Sequence, residues 1–282
     1  MGEPMRSFND KVAAITGAGS GIGRALAEGL SREGAELALS DVNPKTLEET
    51  AELVRKLGTR VTTTVLDVSK RDAVYAWADR VVKDHGRANL VFNNAGVAVG
   101  STIEGVTYED FEWIMGINFW GVVYGTKAFL PHLRAAGEGH IVNISSVFGI
   151  ISVPGNGTYN ASKFAVRGFT EALRQELDLT GGAVSCTCVH PGGIKTNIAR
   201  DSRVSQNMEG VLVKNAEQGR RDFEKMFRTS PAQAASVILQ GVKKNRRRVL
   251  IGSDARAIDV MARLLPTAYQ RLTVSQVRRG MK

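Results

Sequence analysis

The sequence predicts an α/β fold: a doubly wound parallel sheet of seven strands in one catalytic-sized domain, residues 1–252, with an amphipathic C-terminal extension over 253–282. Three observations predict it. Short β-type runs alternate with longer stretches of helical period between residues 11 and 250. The 282 residues are 43% hydrophobic, enough for a sizeable core. A glycine-rich turn follows the first run and opens into a helical pattern.

Taken in order, residues 11–16 (KVAAIT) read as a strand followed by a helix over 22–33, residues 36–40 as a strand followed by a helix over 44–57, and 61–66 by one over 71–85. Strands at 89–92, 141–144 and 184–189 continue the series, with long helices over 108–135 and 158–179 between them. A helix over 232–244 and a strand at 249–251 close the domain, which carries no internal repeat or linker. Residues 195–230 are too long and polar for an ordinary connection, so a substrate lid is expected there. After Gly252, Ile258, Met261, Leu265, Ala268 and Leu272 share one side of a helical wheel and Arg256, Arg263 and Arg271 the other, with Pro266 as a kink.

The net charge of +9 is unevenly spread. Residues 200–282 hold 18 Lys and Arg against 7 Asp and Glu, and the first 199 residues are near neutral. A nucleic-acid enzyme would spread basic residues around its working groove, so nucleic acid is not expected as a partner. The N-terminal MGEPMRSFND has no apolar run of signal-peptide length, and Arg6 stands where a myristoylation motif needs Ser or Thr. No apolar run reaches the ~18 residues of a spanning helix. A cytoplasmic protein is expected, with Cys186 and Cys188 as reduced thiols, since a disulfide between two residues of one strand would be strained.

The glycine turn reads Thr16-Gly17-Ala18-Gly19-Ser20-Gly21-Ile22-Gly23. Glycines let the backbone turn tightly and approach a pyrophosphate, whose charge is favoured by the unpaired N–H groups at the start of the helix. Gly17, Ser20, Gly21, Ile22 and Gly23 are therefore candidate dinucleotide contacts. Asp41 ends the second strand, where a carboxylate accepts both ribose hydroxyls of NAD and repels the 2′-phosphate of NADP. No basic residue stands at Ser20 or Val42 to attract that phosphate, so NAD is favoured over NADP.

Tyr159 and Lys163 are four apart on one face of a predicted helix. A phenol is a poor base at neutral pH, and a neighbouring ammonium, joined by the positive ring of bound NAD, lowers its pKa towards working pH. A Tyr-x-x-x-Lys pair alone is common. Here Ser146 precedes it by thirteen residues, after the strand Ile141-Val142-Asn143-Ile144-Ser145, at the sheet edge where open α/β folds bind ligands.

In this order, Thr16-Gly17-x-x-x-Gly21-x-Gly23, Asp67-Val68, Asn93-Asn94-Ala95-Gly96, Asn118, Ser146, Tyr159-x-x-x-Lys163 and Pro191-Gly192 resemble the short-chain dehydrogenase/reductase family over about residues 10–252. The resemblance implies a Rossmann fold and assigns roles. Tyr159 would be the general acid/base, Lys163 would hold the nicotinamide ribose and depress the Tyr159 pKa, and Ser146 would bond the substrate oxygen. Asn118 would keep a proton-relay water near Lys163. Asp67 and Val68 would meet adenine, Asn94 would lie beside the adenosine ribose, and Ile194 and Thr196 would meet the nicotinamide carboxamide. Asp67 as a helix cap and the Asn-Asn-Ala-Gly turn as a purely structural device stay open. Family members commonly pair through the two long helices, implying a homodimer or homotetramer.

His85, His132, His140 and His190 lack metal-ligand spacing and are expected at surfaces or in turns, with no metal site. Val97, Val99, Val147, Phe148, Ile150, Ile151 and Val153, with Met208, Val211, Leu212, Val213, Met226 and Phe227 of the lid, favour a lipophilic alcohol or ketone over a sugar. The run Lys243, Lys244, Arg246, Arg247 and Arg248 with the tail could make peripheral contact with anionic lipid headgroups, or with the phosphates of an acyl-coenzyme A or carrier-protein substrate; the plainer reading is a solvated surface and a tail packed on its own domain or a sister subunit. Two rivals to an NAD-preferring dehydrogenase remain: an NADP-linked reductase and a non-catalytic dinucleotide-binding scaffold at a membrane.

Overall fold

A computed structural model describes residues 5–198, 200–212 and 227–281. The expected lid residues Val213 and Met226 lie outside the described residues. Strands β1 (Val12–Thr16), β2 (Glu36–Asp41), β3 (Val61–Val65), β4 (Leu90–Asn93), β6 (Gly139–Ile144), β7 (Val184–Pro191) and β9 (Arg248–Ile251) form one seven-stranded sheet in the order β3-β2-β1-β4-β6-β7-β9. Every pairing in it is parallel. The chain first winds outward from β1 to β3, then crosses to β4 on the other side of β1. That reversal opens a crevice at the carboxyl ends of β1 and β4, the place where such sheets take ligands.

Helices cover both faces, as the near-continuous apolar strands require. On one face α1 (Gly21–Arg32), α2 (Pro44–Arg55) and α7 (Pro231–Lys243) bury Leu26, Leu30, Leu47, Ile238 and Leu239 against Ile15, Leu37 and Val189. On the other, α3 (Arg71–His85), α5 (Gly121–Ala135) and α6 (Gly157–Thr180) bury Trp77, Phe129, Leu133 and Leu173 against Val91 and Ile141. Trp77 and Phe129 meet edge to face at 5.2 Å.

The helix expected over 108–135 is interrupted. It divides into α4 (Tyr108–Met115), a π-helical turn Gly116–Trp120, and α5. Hydrophobic period cannot register one extra residue in a turn, whereas packing can. A Cβ at Gly121 would stand 2.8 Å from Val68, so the wide turn brings bare backbone onto the strand-end segment below it. The segment expected to be a lid also contains a strand that its sequence did not announce: β8 (Arg203–Val204) pairs with β5 (Val99–Gly100).

Pro266 does break the tail, into α8 (Ser253–Leu264) and α9 (Tyr269–Met281). Of the expected apolar stripe, Ile258 and Met261 pack with Leu250, Ile150 and Ile151, but Leu265 and Leu272 are exposed. Tyr269 is the anchor instead: it is buried, and its hydroxyl accepts from the Ser152 N–H at 3.2 Å. Much of the basic run is paired within the domain. Lys243 bonds Glu33, Arg247 lies 2.5 Å from Asp178, and Arg248 donates to Asp259 at 2.7 Å.

The histidines depart from expectation. His85, His140 and His190 are buried, and only His132 keeps an exposed partner, Asp79. Each buried ring has a polar contact: His85 with Glu36 and Thr62, His140 with Thr187, and His190 with the Ser146 carbonyl. Cys186 and Cys188 are free and buried, their thiols pushed up to about 12 by burial. Among the described residues, no group of His, Cys, Asp and Glu could hold a metal ion, and no helix is long and apolar enough to cross a membrane.

Candidate active site

Gly17 and Gly21 sit at φ of +64° and +54°, a region that residues with a Cβ enter only under strain. Space enforces the same choice at Gly23, where a Cβ would stand 2.1 Å from the Gly17 carbonyl oxygen. Ser20 and Ile22 flank Gly21 at the start of α1, and the Ser20 side chain makes no cap bond there. This leaves the first N–H groups of α1 free for an anion. Thr196, after β7, closes the turn from above, since a Cβ at Gly21 would come within 3.0 Å of its methyl group. Ile194 behind it is buried and bridges to Thr229. A pyrophosphate fits this bare cradle.

Asp41 stands at the end of β2 beside the turn. Its Oδ2 accepts from the Gly19 N–H and its Oδ1 from the Asn43 N–H, both at 2.9 Å, and each oxygen keeps a second lone pair. The neighbouring cation Arg24 is engaged, donating to the Gly19 carbonyl, Thr50 and Glu49. It locks the turn to α2 through Nε and Nη2. Val42 is exposed and uncharged.

Two other expected nucleotide contacts prove to have structural duties. The Asn94 amide donates to the carbonyls of Thr16 and Gly17 at 2.9 and 3.2 Å, so it shapes the glycine turn. Asp67 Oδ1 caps Ser69, accepting from its N–H and its hydroxyl. Val68 is buried under Gly121.

Ser146, Tyr159 and Lys163 come together at the carboxyl ends of β6 and β7. Ser146 follows β6 and caps the short helix Val147–Gly149, its hydroxyl accepting from Phe148 N–H at 3.1 Å. Tyr159 and Lys163 lie one turn apart near the start of α6. Burial pushes the Tyr159 phenol up to about 12, and its hydrogen bond with the Ser146 side chain opposes that rise. Lys163 Nζ is buried, donates to the Ile144 carbonyl at 3.0 Å and lies 5.6 Å from the Tyr159 ring centre. Burial lowers it to about 8. Burial thus sets the direction of both shifts in the protein alone.

Asn118 lies in the π-helical turn and is fully buried. Both of its amide protons are used, on the Val97 carbonyl at 2.9 Å and on Ser162 Oγ at 3.1 Å, while its oxygen accepts from the Val97 N–H. Ser162 in turn donates to the Tyr159 carbonyl at 2.8 Å. Both amide protons of Asn118 are thus engaged within the protein. Gly96 separates it from Lys163: a Cβ there would meet Asn118 Oδ1 at 3.3 Å and Lys163 Nζ at 3.4 Å.

Sequence reasoning passed over Ser162 and Ser145, whose hydroxyl donates to the Lys163 carbonyl at 2.8 Å. It also passed over the buried ladder in which Asn93 donates to Asn143 and Asn143 to Thr170. A polar residue recurring inside an apolar strand, as Asn143 does, was the available signal. Of the expected substrate-side residues, Val99, Val147, Ile150 and Ile151 are buried packing. Met208 and Leu212 lie over Gly155, where a Cβ would come within 3.0 Å of each. Val211 is exposed. A groove of about 530 Å³ between α6 and α9 includes Val153, Asn160, Phe164 and Val274, but not Tyr159 or Ser146.

The short chain dehydrogenase family model matches residues 11–207. A Mycobacterium tuberculosis protein described as an oxidoreductase, SadH, is 50% identical over 275 residues, 97% of each chain. The C alpha-dehydrogenase of a Sphingobium species is 36% identical over 259 residues, 89% of this chain and 84% of that protein. A short-chain dehydrogenase/reductase from Burkholderia phymatum, solved in complex with NAD, superposes with a TM-score of 0.85 at 33% identity, covering 92% of this chain and 95% of the other. Sheet order, glycine turn and the Ser146, Tyr159 and Lys163 cluster agree with that match, and the chain belongs to the short-chain dehydrogenase/reductase family of oxidoreductases.

Proposed function

We propose that the protein interconverts a lipophilic secondary alcohol and its ketone, with NAD preferred to NADP. The observation that carries this is the grouping of Ser146, Tyr159 and Lys163 at the sheet's carboxyl edge, on the same edge as the glycine cradle. Gly17, Ser20, Gly21, Ile22 and Gly23 would hold the pyrophosphate, Asp41 the adenosine ribose, and Asp67 and Val68 the adenine. Tyr159 and Lys163 would hold the nicotinamide ribose and Ile194 and Thr196 the carboxamide. Asn94 supports the cradle from beneath. When bound, NAD supplies a hydride acceptor and a positive charge beside the phenol.

The chain's own residues then handle the proton. Ser146 orients the alcohol oxygen, and Tyr159 as phenolate takes the hydroxyl proton while the carbonyl forms; the phenol returns it in the opposite direction. Lys163 keeps a cation near that oxygen without leaving its bond to Ile144. Asp41 favours NAD because its carboxylate stands at the end of β2 beside the glycine turn, where it would repel a 2′-phosphate. Lipophilicity is inferred from the apolar Met208 and Leu212 over Gly155, four residues before Tyr159. The outward Trp120, Phe164 and Leu179 on or beside α5 and α6 support a homodimer or homotetramer. A screen of secondary alcohols of increasing apolar size, with NAD and NADP in parallel, tests the proposal: kcat/KM rises with apolar size and is higher with NAD. A preference for polyols, or for NADP, contradicts it.

A further inference from the structure

His190 lies at the end of β7, fully buried, with Nδ1 at 2.9 Å from the Ser146 carbonyl oxygen. A carbonyl only accepts, so Nδ1 carries the proton and this tautomer leaves Nε2 as a bare lone pair. That nitrogen is buried and has no hydrogen-bond partner among the described residues. One buried donor in the same condition lies on the neighbouring strand, the Nε–H of Arg248. The registers Cys188↔Arg248 and His190↔Leu250 put both side chains on the same face of the sheet, on adjacent strands and one step apart. An orphan acceptor beside an orphan donor in a dry interior is costly unless something joins them, and one water that accepts from Arg248 and donates to His190 satisfies both. Arg248 is itself fixed by Asp259 on α8.

We propose that His190 is a positioning residue for the reaction, holding the Ser146 carbonyl through Nδ1–H and joined through a shared water to the Arg248–Asp259 pair of the C-terminal extension. This rests on Ser146 acting as described under the proposed function. Ser146 is the residue through which the effect passes: its hydroxyl acts on the Tyr159 phenol and opposes the upward push of burial. Its backbone is held by His190 and its hydroxyl by Phe148 N–H. Besides Arg248, the charged groups that bear on the imidazole are Arg167 and Glu171 of α6, and burial keeps the ring neutral down to about pH 4. The contact is therefore constant across the working range and acts by geometry.

Three arms test it on the full chain. Nitrogen-15 NMR of the imidazoles reads the tautomer without any substrate: Nδ1 protonated and Nε2 bare is expected for His190, and an Nε2–H tautomer overturns the proposal. His190→Asn keeps a donor at the Nδ1 position, whereas His190→Gln keeps one only near Nε2. The Asn variant should retain kcat within about threefold, and the Gln variant should lose about tenfold or more, with KM for NAD within about twofold in both. In His190→Gln the rising limb of the pH profile for alcohol oxidation should move to higher pH, which mere loss of stability would not produce. Equal kcat and unmoved limbs in both variants, with wild type active, overturn the proposal while leaving the proposed function intact. An inactive wild type over the whole alcohol screen overturns that function itself. Arg248→Met should shift the His190 Nε2 resonance; an unchanged resonance removes the bridge to α8.

Discussion

Lys163 carries its charge in a place that opposes it, bonded to the Ile144 carbonyl beneath a phenol that burial also keeps neutral. Both groups thus lie off their ordinary values in the directions burial dictates, and the Ser146 bond is the intrinsic force drawing Tyr159 back. Ser146→Ala should therefore move the rising limb of alcohol oxidation to higher pH and cut kcat by about 100-fold; an unshifted limb in a pH–rate series would remove Ser146 from the tuning. Asp41→Ala should bring the NAD and NADP values of kcat/KM towards parity, checked by titrating both cofactors; unchanged selectivity removes Asp41 from the preference. His140 and His190 add a stability signature. Burial holds them down to about 3 and about 4, against 6.5 in the unfolded chain. Below pH 6.5 the unfolded chain binds protons that the folded one refuses, so stability is full above that pH and falls as acid is added. Tm should drop between pH 6.5 and 5, and drop less in His140→Gln; a flat Tm would contradict the neutral assignment.

At the scale of elements, the π-helical turn Gly116–Trp120 does what a regular helix would not, turning Asn118 inward onto Val97 and Ser162. Asn118→Leu strands the Val97 N–H and carbonyl, at about 1–3 kcal/mol for each buried group left unpaired. Calorimetry should show a lower Tm and turnover should fall more than NAD affinity; a full-strength enzyme would contradict the positioning role. The sequence made the strands legible because a buried parallel sheet requires unbroken apolar runs, and the glycine turn because only glycine enters positive φ there. Tyr159 and Lys163 were legible through helical spacing. The π-helical turn, the β5–β8 pair and the duties of Asn94 were not, because each depends on what lies across from it and leaves no periodic trace along the chain.

For the molecule as a whole, the tail is part of the domain's packing. Tyr269 reaches Ser152, Ile258 and Met261 cover Leu250, and Asp259 neutralises Arg248. The sequence displayed the charge of this region but not its partners Glu33, Asp178 and Asp259, which are distant or separately placed along the chain. Ending the chain after Gly252 should lower Tm by several degrees and reduce kcat, read by calorimetry and steady-state assay; an equally stable and active truncation would make the tail an independent appendage. The account depends above all on Tyr159 as the group that moves the proton. The most direct measurement is turnover and NAD binding in Tyr159→Phe beside wild type, on an alcohol that the screen identifies. The account predicts turnover lowered by at least about 1,000-fold with NAD affinity within several-fold, and equal kcat in the two proteins would contradict it.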